Sequence, residues 1–240
     1  MTTLLLAGGL GTRLRKIVSN RPKSMAFVAN RPFLEYLILQ LKRHNLTDIV
    51  LCIGYLGEQI QEYFGDGSKW GVHISYSYER KPLGTGGAIK LAEWLIKEDN
   101  FLVMNGDSFL DVDLNRLIDY HVKREALATM ALVEVEDPGR YGAVEMDENG
   151  EIKSFVEKEG STKSRLINGG IYVLNREFFG YIPEGTVSLE KEVFPKLIGK
   201  GFYGMLTKGY FIDIGVPEDY KRLQENPQAL LELENERRRF

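Results

Sequence analysis

Thr3-Leu4-Leu5-Leu6-Ala7-Gly8-Gly9-Leu10-Gly11-Thr12-Arg13-Leu14 is the stretch that decides how the rest of the chain is read. Its apolar opening has strand length and breaks at Gly8-Gly9, the pattern of a strand that ends in a glycine-rich turn. Without Cβ atoms at Gly8, Gly9 and Gly11, backbone N–H groups can converge on an anion. Arg13 adds a bidentate phosphate donor. In Arg21-Pro22-Lys23-Ser24-Met25, Pro22 stiffens the approach and Lys23 offers a point charge. A Walker loop would end its glycine run in Gly-Lys-Ser/Thr, where Thr12-Arg13 stands, and a Rossmann fingerprint would need a third glycine at Leu14. A plain glycine turn after an edge strand is the alternative reading.

Outward from this loop, apolar runs near 3–7, 48–53, 72–78 and 100–105 alternate with helical stretches near 32–44, 57–64, 86–97 and 113–124. In the first of these helices Phe33, Leu34, Leu37, Ile38 and Leu41 recur at three- and four-residue spacings. Alternating β and α elements predict an α/β fold: a mostly parallel sheet covered by helices on both faces, with the ligand crevice at the carboxyl ends of the strands. After about residue 126 the texture changes. Ala128–Val135 reads as a strand, and Ala143–Met146 and Ile152–Val156 flank an Asn149-Gly150 hairpin turn. Ile171–Leu174, Tyr203–Leu206 and Tyr210–Ile212 read as further strands. The expected organisation is one domain over 1–224, with a first half about 1–125 and a smaller mixed lobe about 126–224 on the same sheet. A charged tail, 225–240, reads as a solvated helix end.

Composition narrows the classes. The chain has 240 residues, 43% hydrophobic and 27% charged, ordinary for a folded domain. A net charge of −3 exerts no global pull on nucleic acid or anionic membrane, so phosphate binding must be local. The single cysteine, Cys52, sits in an apolar run and reads as a core residue; it excludes an internal disulfide framework and a Cys-rich zinc site. No segment approaches membrane-span length and no basic leader precedes the first strand, so the expected location is the cytoplasm, with homo-oligomerisation left open.

Further motifs fall at strand ends. Pro82-Leu83-Gly84-Thr85-Gly86-Gly87-Ala88 repeats the glycine-plus-hydroxyl theme at a strand-to-helix junction. Just before it, Glu79 could accept the N1–H and N2–H of a guanine, or be a solvated loop carboxylate. Asn105-Gly106-Asp107 places a carboxylate where a magnesium ion would be held, or where a turn needs an aspartate. Asp111-Val112-Asp113 could be a glycosyltransferase metal motif, but Asp113 precedes a helical run and is read as its N-cap. His44, His73 and His121 show no metal or triad spacing.

Leu6 to Leu14 followed by Pro22-Lys23 resembles the nucleotide loop of sugar-1-phosphate nucleotidylyltransferases, and the resemblance extends from residue 3 to about 223. It implies a Rossmann-like fold with a small sugar-binding lobe, and transfer of a nucleotidyl group to a sugar 1-phosphate with release of pyrophosphate. It implies nucleotide contacts at Leu6, Ala7, Gly8, Gly9, Gly11, Thr12, Glu79, Pro82, Leu83, Gly84, Thr85 and Gly106. Arg13 and Lys23 would meet the triphosphate, and Asp107 and Asp213, the latter in Phe211-Ile212-Asp213-Ile214-Gly215, would hold Mg2+. The tryptophan widespread before that second motif is replaced by Tyr210 or Phe211. Tyr141-Gly142-Ala143-Val144, Phe155-Val156-Glu157-Lys158 and Asn168-Gly169-Gly170-Ile171-Tyr172 resemble the sugar-phosphate pocket, implying roles for Gly142, Glu157, Lys158, Asn168, Gly169 and Tyr172. No side-chain base is required, because the sugar phosphate, with a second pKa of about 6, is itself the nucleophile. Glu79 with its loop, and Tyr210 to Tyr220, look most like the bacterial D-glycero-α-D-manno-heptose 1-phosphate guanylyltransferases. Mannose-1-phosphate guanylyltransferases and glucose-1-phosphate thymidylyl- or uridylyltransferases are the near alternatives. A metal-dependent glycosyltransferase and a non-catalytic nucleotide-sugar sensor are the alternatives of a different class.

Overall fold

A computed structural model describes residues 1–14, 17–138, 141, 143–156 and 164–237. In chain order the strands are β1 (Thr3–Leu6), β2 (Phe27–Val28), β3 (Arg31–Pro32), β4 (Asp48–Ile53), β5 (His73–Tyr78), β6 (Asn100–Asn105), β7 (Ser108–Leu110), β8 (Ala128–Glu134), β9 (Ala143–Met146), β10 (Ile152–Val156), β11 (Leu166–Asn175), β12 (Phe202–Thr207) and β13 (Phe211–Asp213). The α-helices are α1 (Phe33–Arg43), α2 (Gly57–Phe64), α3 (Gly84–Leu91), α4 (Leu114–Lys123), α5 (Pro217–Glu225) and α6 (Gln228–Arg237).

The main sheet runs β5-β4-β1-β6-β11-β8-β12, and the β9–β10 hairpin joins it through the start of β11. β5, β4, β1 and β6 are mutually parallel, and β11 lies antiparallel between β6 and β8. Strand alternation sends successive residues to opposite faces and builds two cores. Leu5, Leu51 and Met104 pack with α1, Ile60 of α2, Leu117 of α4 and Leu223 of α5. Leu4, Cys52 and Val103 pack on the other face with Ala88 and Ile89 of α3 and with the short helical turns that carry Phe178, Leu189 and Phe194. Helices therefore cover both faces, as the strand runs predicted.

Three elements depart from the sequence reading. The helix expected at 86–97 starts at Gly84 and stops at Leu91, followed by a single 3-10 turn, Glu93–Leu95. β11 begins well before Ile171: it runs through Asn168-Gly169-Gly170 by way of a register shift between Asn168 and Tyr172, with Gly170 at φ 76°. The segment after 224 is not only a solvated end. α6 packs on α1, and Leu230 is fully buried in the α1-side core. Asp113 does cap α4, accepting the Arg116 N–H at 3.1 Å, and the Asn149-Gly150 turn does close the β9–β10 hairpin. No helix among the described residues is long and apolar enough to cross a membrane.

Candidate active site

The register of the parallel strands brings their ends together. Leu6 pairs with Cys52 and with Asn105, so the turns after β1, β4 and β6 share one edge. Ladder bonds continue past the strands: Ala7 N–H donates to Cys52 O at 2.8 Å, Gly106 N–H to Leu6 O at 3.0 Å, and Glu79 N–H to Ile53 O at 2.8 Å. At this edge lies a cavity of about 610 Å³. Its lining includes Leu6, Ala7, Gly8, Gly9, Gly11, Thr12, Arg13, Lys23, Glu79, Pro82, Gly84, Thr85, Gly106, Asp107, Asn168 and Asp213, all singled out from the sequence.

Asp213 reaches this wall through a separate two-stranded ladder. β13 runs antiparallel to β7, pairing Asp213 with Ser108 and Ile212 with Phe109, and Ile214 N–H donates to Asp107 O at 2.9 Å. Lys23 is ion-paired with Asp107. Gly215 marks where three of the four charged groups meet, Asp107 joining them through Lys23: a Cβ there would stand 2.8 Å from Asp213 Oδ1, 3.0 Å from Lys23 Nζ and 3.6 Å from an Arg13 guanidinium nitrogen. Burial, then the charge of Asp107, pushes the Asp213 carboxyl up to about 6, against the opposing pull of Lys23. Two crowded carboxylates of hard oxygen are a donor set that suits magnesium, which takes one or two carboxylates and completes its shell with water and substrate phosphates. Among the described residues no third acidic, His or Cys side chain joins them.

Glu79 sits at the other end of the cavity. Its Oε2 accepts the Leu83 N–H at 3.0 Å, and burial raises its pKa. Leu83 itself does not line the cavity; it contributes by holding Glu79. The 82–88 loop is docked on the opposite half of the chain, with Val187 N–H donating to Leu83 O at 2.7 Å and Gly86 N–H to Val187 O at 2.9 Å.

On the sugar side the structure redistributes the expected residues. Asn168 faces the cavity, but Tyr172 lies beneath it, fully buried, its ring 5.1 Å from that of Phe194 and its hydroxyl accepting from Asn168 Nδ2 at 2.7 Å. Burial raises the Tyr172 pKa, so the hydroxyl stays neutral and orients Asn168. Gly169 faces inward, where a Cβ would strike Leu110 at 2.6 Å, and Gly170 takes the place on the wall. Gly142, Glu157 and Lys158 lie outside the described residues.

Several further lining residues receive no role from the sequence reading. Glu190 accepts from Thr85 Oγ1 at 3.2 Å and Ser188 Oγ at 3.0 Å, bridging the 82–88 loop to the far half. Tyr141 stands edge-on to Phe211, and its hydroxyl donates to the buried Asp219 at 2.9 Å. Ser24 Oγ, Asn105 Oδ1 and Ser108 Oγ are buried without a hydrogen-bond partner among the described residues, and all three side chains belong to the cavity lining. Unmet groups of this kind each cost about 1–3 kcal/mol. His121 is buried between Thr129 and Asn100, away from the cavity, with its pKa lowered to about 4 by burial.

Sheet order and carboxyl-edge cavity place the chain in the Rossmann-like α/β class. It belongs to the nucleotidyl transferase family, whose model matches residues 2–229. It is 39% identical over 230 residues to the D-glycero-α-D-manno-heptose 1-phosphate guanylyltransferase of Aneurinibacillus thermoaerophilus, covering 95% of this chain and 99% of that one. The Campylobacter jejuni protein of the same name is 41% identical over 92% of this chain and 97% of its own. Among solved structures, HddC from Yersinia pseudotuberculosis complexed with GMP-PN superposes with a TM-score of 0.83 at 34% identity, covering 95% and 99% of the two chains.

Proposed function

We propose that this chain transfers GMP from GTP to D-glycero-α-D-manno-heptose 1-phosphate, giving the GDP-sugar and pyrophosphate. The observation that carries nucleotidyl transfer is the convergence of Arg13, Lys23 and Asp213 around Gly215, with Asp107 ion-paired to Lys23, in the cavity that the glycine-rich loop lines. Guanine is supported by Glu79, a half-buried acceptor beside Gly8, and heptose by end-to-end likeness to two relatives of that name. The mannose-1-phosphate guanylyltransferase of Mycobacterium tuberculosis is nearly as similar, at 38% identity, but this chain spans only 62% of it.

In this reading a phosphate oxygen of the sugar phosphate attacks the α-phosphorus of GTP, the bond to the β-phosphate oxygen breaks, and that oxygen leaves with pyrophosphate. The nucleophile is mostly dianionic near neutrality, its second pKa being about 6, so no side chain need take a proton. Backbone N–H groups of Gly8, Gly9 and Gly11 cradle the triphosphate. Arg13 and Lys23 neutralise charge that grows between the two anions, and the fixed loop keeps them in line. Asp107 and Asp213 would hold magnesium, which supplies further neutralisation of the triphosphate. Asn168, seated by Tyr172, binds the sugar phosphate, and the family resemblance assigns the same role to Gly142, Glu157 and Lys158. The cytoplasm as location and cell-surface glycan as destination of the product belong to the same proposal.

A pyrophosphate-release screen with magnesium tests it, crossing GTP, dTTP, UTP, CTP and ATP with heptose, mannose, glucose and N-acetylglucosamine 1-phosphates. Release with GTP and the heptose phosphate is expected. Release with a pyrimidine triphosphate would overturn the reading of Glu79, and preference for mannose phosphate would correct the sugar alone.

A further inference from the structure

Glu79 takes its place between two residues that have no side chain. A Cβ built on Gly8 would stand 2.1 Å from Glu79 Oε1. A Cβ on Gly54, the residue after β4, would meet Glu79 Cγ at 2.7 Å and Oε1 at 2.8 Å. Gly8 belongs to the nucleotide loop, but Gly54 belongs to no motif and does not line the main cavity. Its backbone does not adopt the left-handed conformation that favours glycine. What excludes a side chain at 54 is therefore the close approach of Glu79, together with Gly8 O at 3.0 Å.

Beyond Glu79 a second recess of about 200 Å³ opens, lined by Gly54, Tyr55, Tyr78, Arg80 and Lys81 among others. A methyl group at 54 would press on both Cγ and Oε1 of Glu79, so the whole side chain must turn, and the recess offers its carboxylate room, while Gly8 O at 3.0 Å must also give slightly.

We propose that Gly54 is a positioning residue for base recognition: by lacking a side chain it lets the Glu79 carboxylate fold against Gly8, where it meets the edge of the base. The inference rests on the reading of Glu79 as the guanine acceptor. Guanine offers two donors on that edge, N1–H and the 2-amino group, whereas hypoxanthine offers only N1–H. A carboxylate correctly seated distinguishes them, and one pushed aside does not.

The test measures binding of GTP and ITP in magnesium to the parent chain and to Gly54→Ala, Glu79→Gln and the double variant, with KM, kcat and thermal midpoint. The parent is expected to favour GTP by about tenfold or more, the worth of a hydrogen bond to a charged group. Gly54→Ala and Glu79→Gln should each bring the ratio close to one, raising KM for GTP more than they lower kcat, and the double variant should be no worse than Glu79→Gln alone. Retention of the ratio in Gly54→Ala while Glu79→Gln loses it overturns the inference and spares the reading of Glu79. Retention in Glu79→Gln sinks both. Should Gly54→Ala fold poorly, its thermal penalty decides: a penalty that disappears in a Glu79→Ala background supports the proposal, and one that persists assigns Gly54 a purely structural role.

Discussion

The molecule carries two pairs of aspartates near the carboxyl edge of its sheet, and they differ in every respect that matters. Asp111 and Asp113 are neighbours in sequence, both are exposed, and neither lines the cavity. Asp113 caps α4 through its side chain, while Asp111 serves through its backbone, its N–H donating to Tyr210 O at 2.9 Å. Asp107 and Asp213 are far apart in sequence, yet the β7–β13 ladder sets them on one wall, among Lys23 and Arg13. An Asp-x-Asp spacing offers two carboxylates to a metal only if both strand ends face the ligand. Here a helix start consumes one and a ladder bond turns the other away.

The largest way to break that contrast is by charge removal. Asp107→Asn and Asp213→Asn are each expected to cut pyrophosphate release by about a thousandfold, the scale of losing a preorganised electrostatic partner, with Asp111→Asn within twofold of the parent. Comparable loss at Asp111 would return that residue to the centre. Lys23→Ala should follow, lowering kcat/KM by about a hundredfold, since a charge-assisted phosphate contact is removed and Asp107 loses its counter-ion. A smaller effect sits at the cap. Asp113→Ala should lower stability by about 1 kcal/mol, or about 2–4 °C in thermal midpoint, without altering turnover at 25 °C.

The finest test is a pH series on metal-free protein. Asp213 titrates near 3.8 when unfolded and is pushed up to about 6 when folded. Below 3.8 both states hold the proton and the group contributes nothing. Between these values the unfolded chain ionises first, so the contribution of Asp213 to stability falls as pH rises and is fully unfavourable above 6. Asp213→Asn should therefore gain in thermal midpoint relative to the parent from pH 4 to 6, and magnesium should shrink that gain. A difference that stays flat across the range would remove the raised titration of Asp213, and with it the burial and the crowding by Asp107 that cause it.

The contrast also shows what a sequence can disclose. β1, β4 and β6 were legible because strands buried on both faces read as unbroken apolar runs, and α1 because its apolar residues repeat at helical spacing. The glycine loop and Asp107 followed from those strands, since they are local to strand ends, and Lys23 from the Arg21-Pro22-Lys23 motif that follows the loop. Glu190 was not legible: it becomes a wall residue only when Thr85 meets it across the fold. Tyr172 was misplaced because its motif names a pocket while its position, at the centre of the sheet under Phe194, sends the ring into the core. Leu230 could not be foreseen, because one buried leucine in a charged helix leaves no period to read.

The β7–β13 ladder has a consequence for how the protein comes into being. A chain emerging in order can shape its glycine loop early, from contacts among the first parallel strands, but Asp107 stands without its counterpart until residue 213 arrives and docks. That closure joins distant segments through a pairing only three residues long, so it pays its loop entropy late and gains little locally. Unfinished chains, and chains clipped before β13, are thus left with a nucleotide cradle but no complete catalytic centre. On the proposed reading, competence is conferred only when β13 has docked on β7.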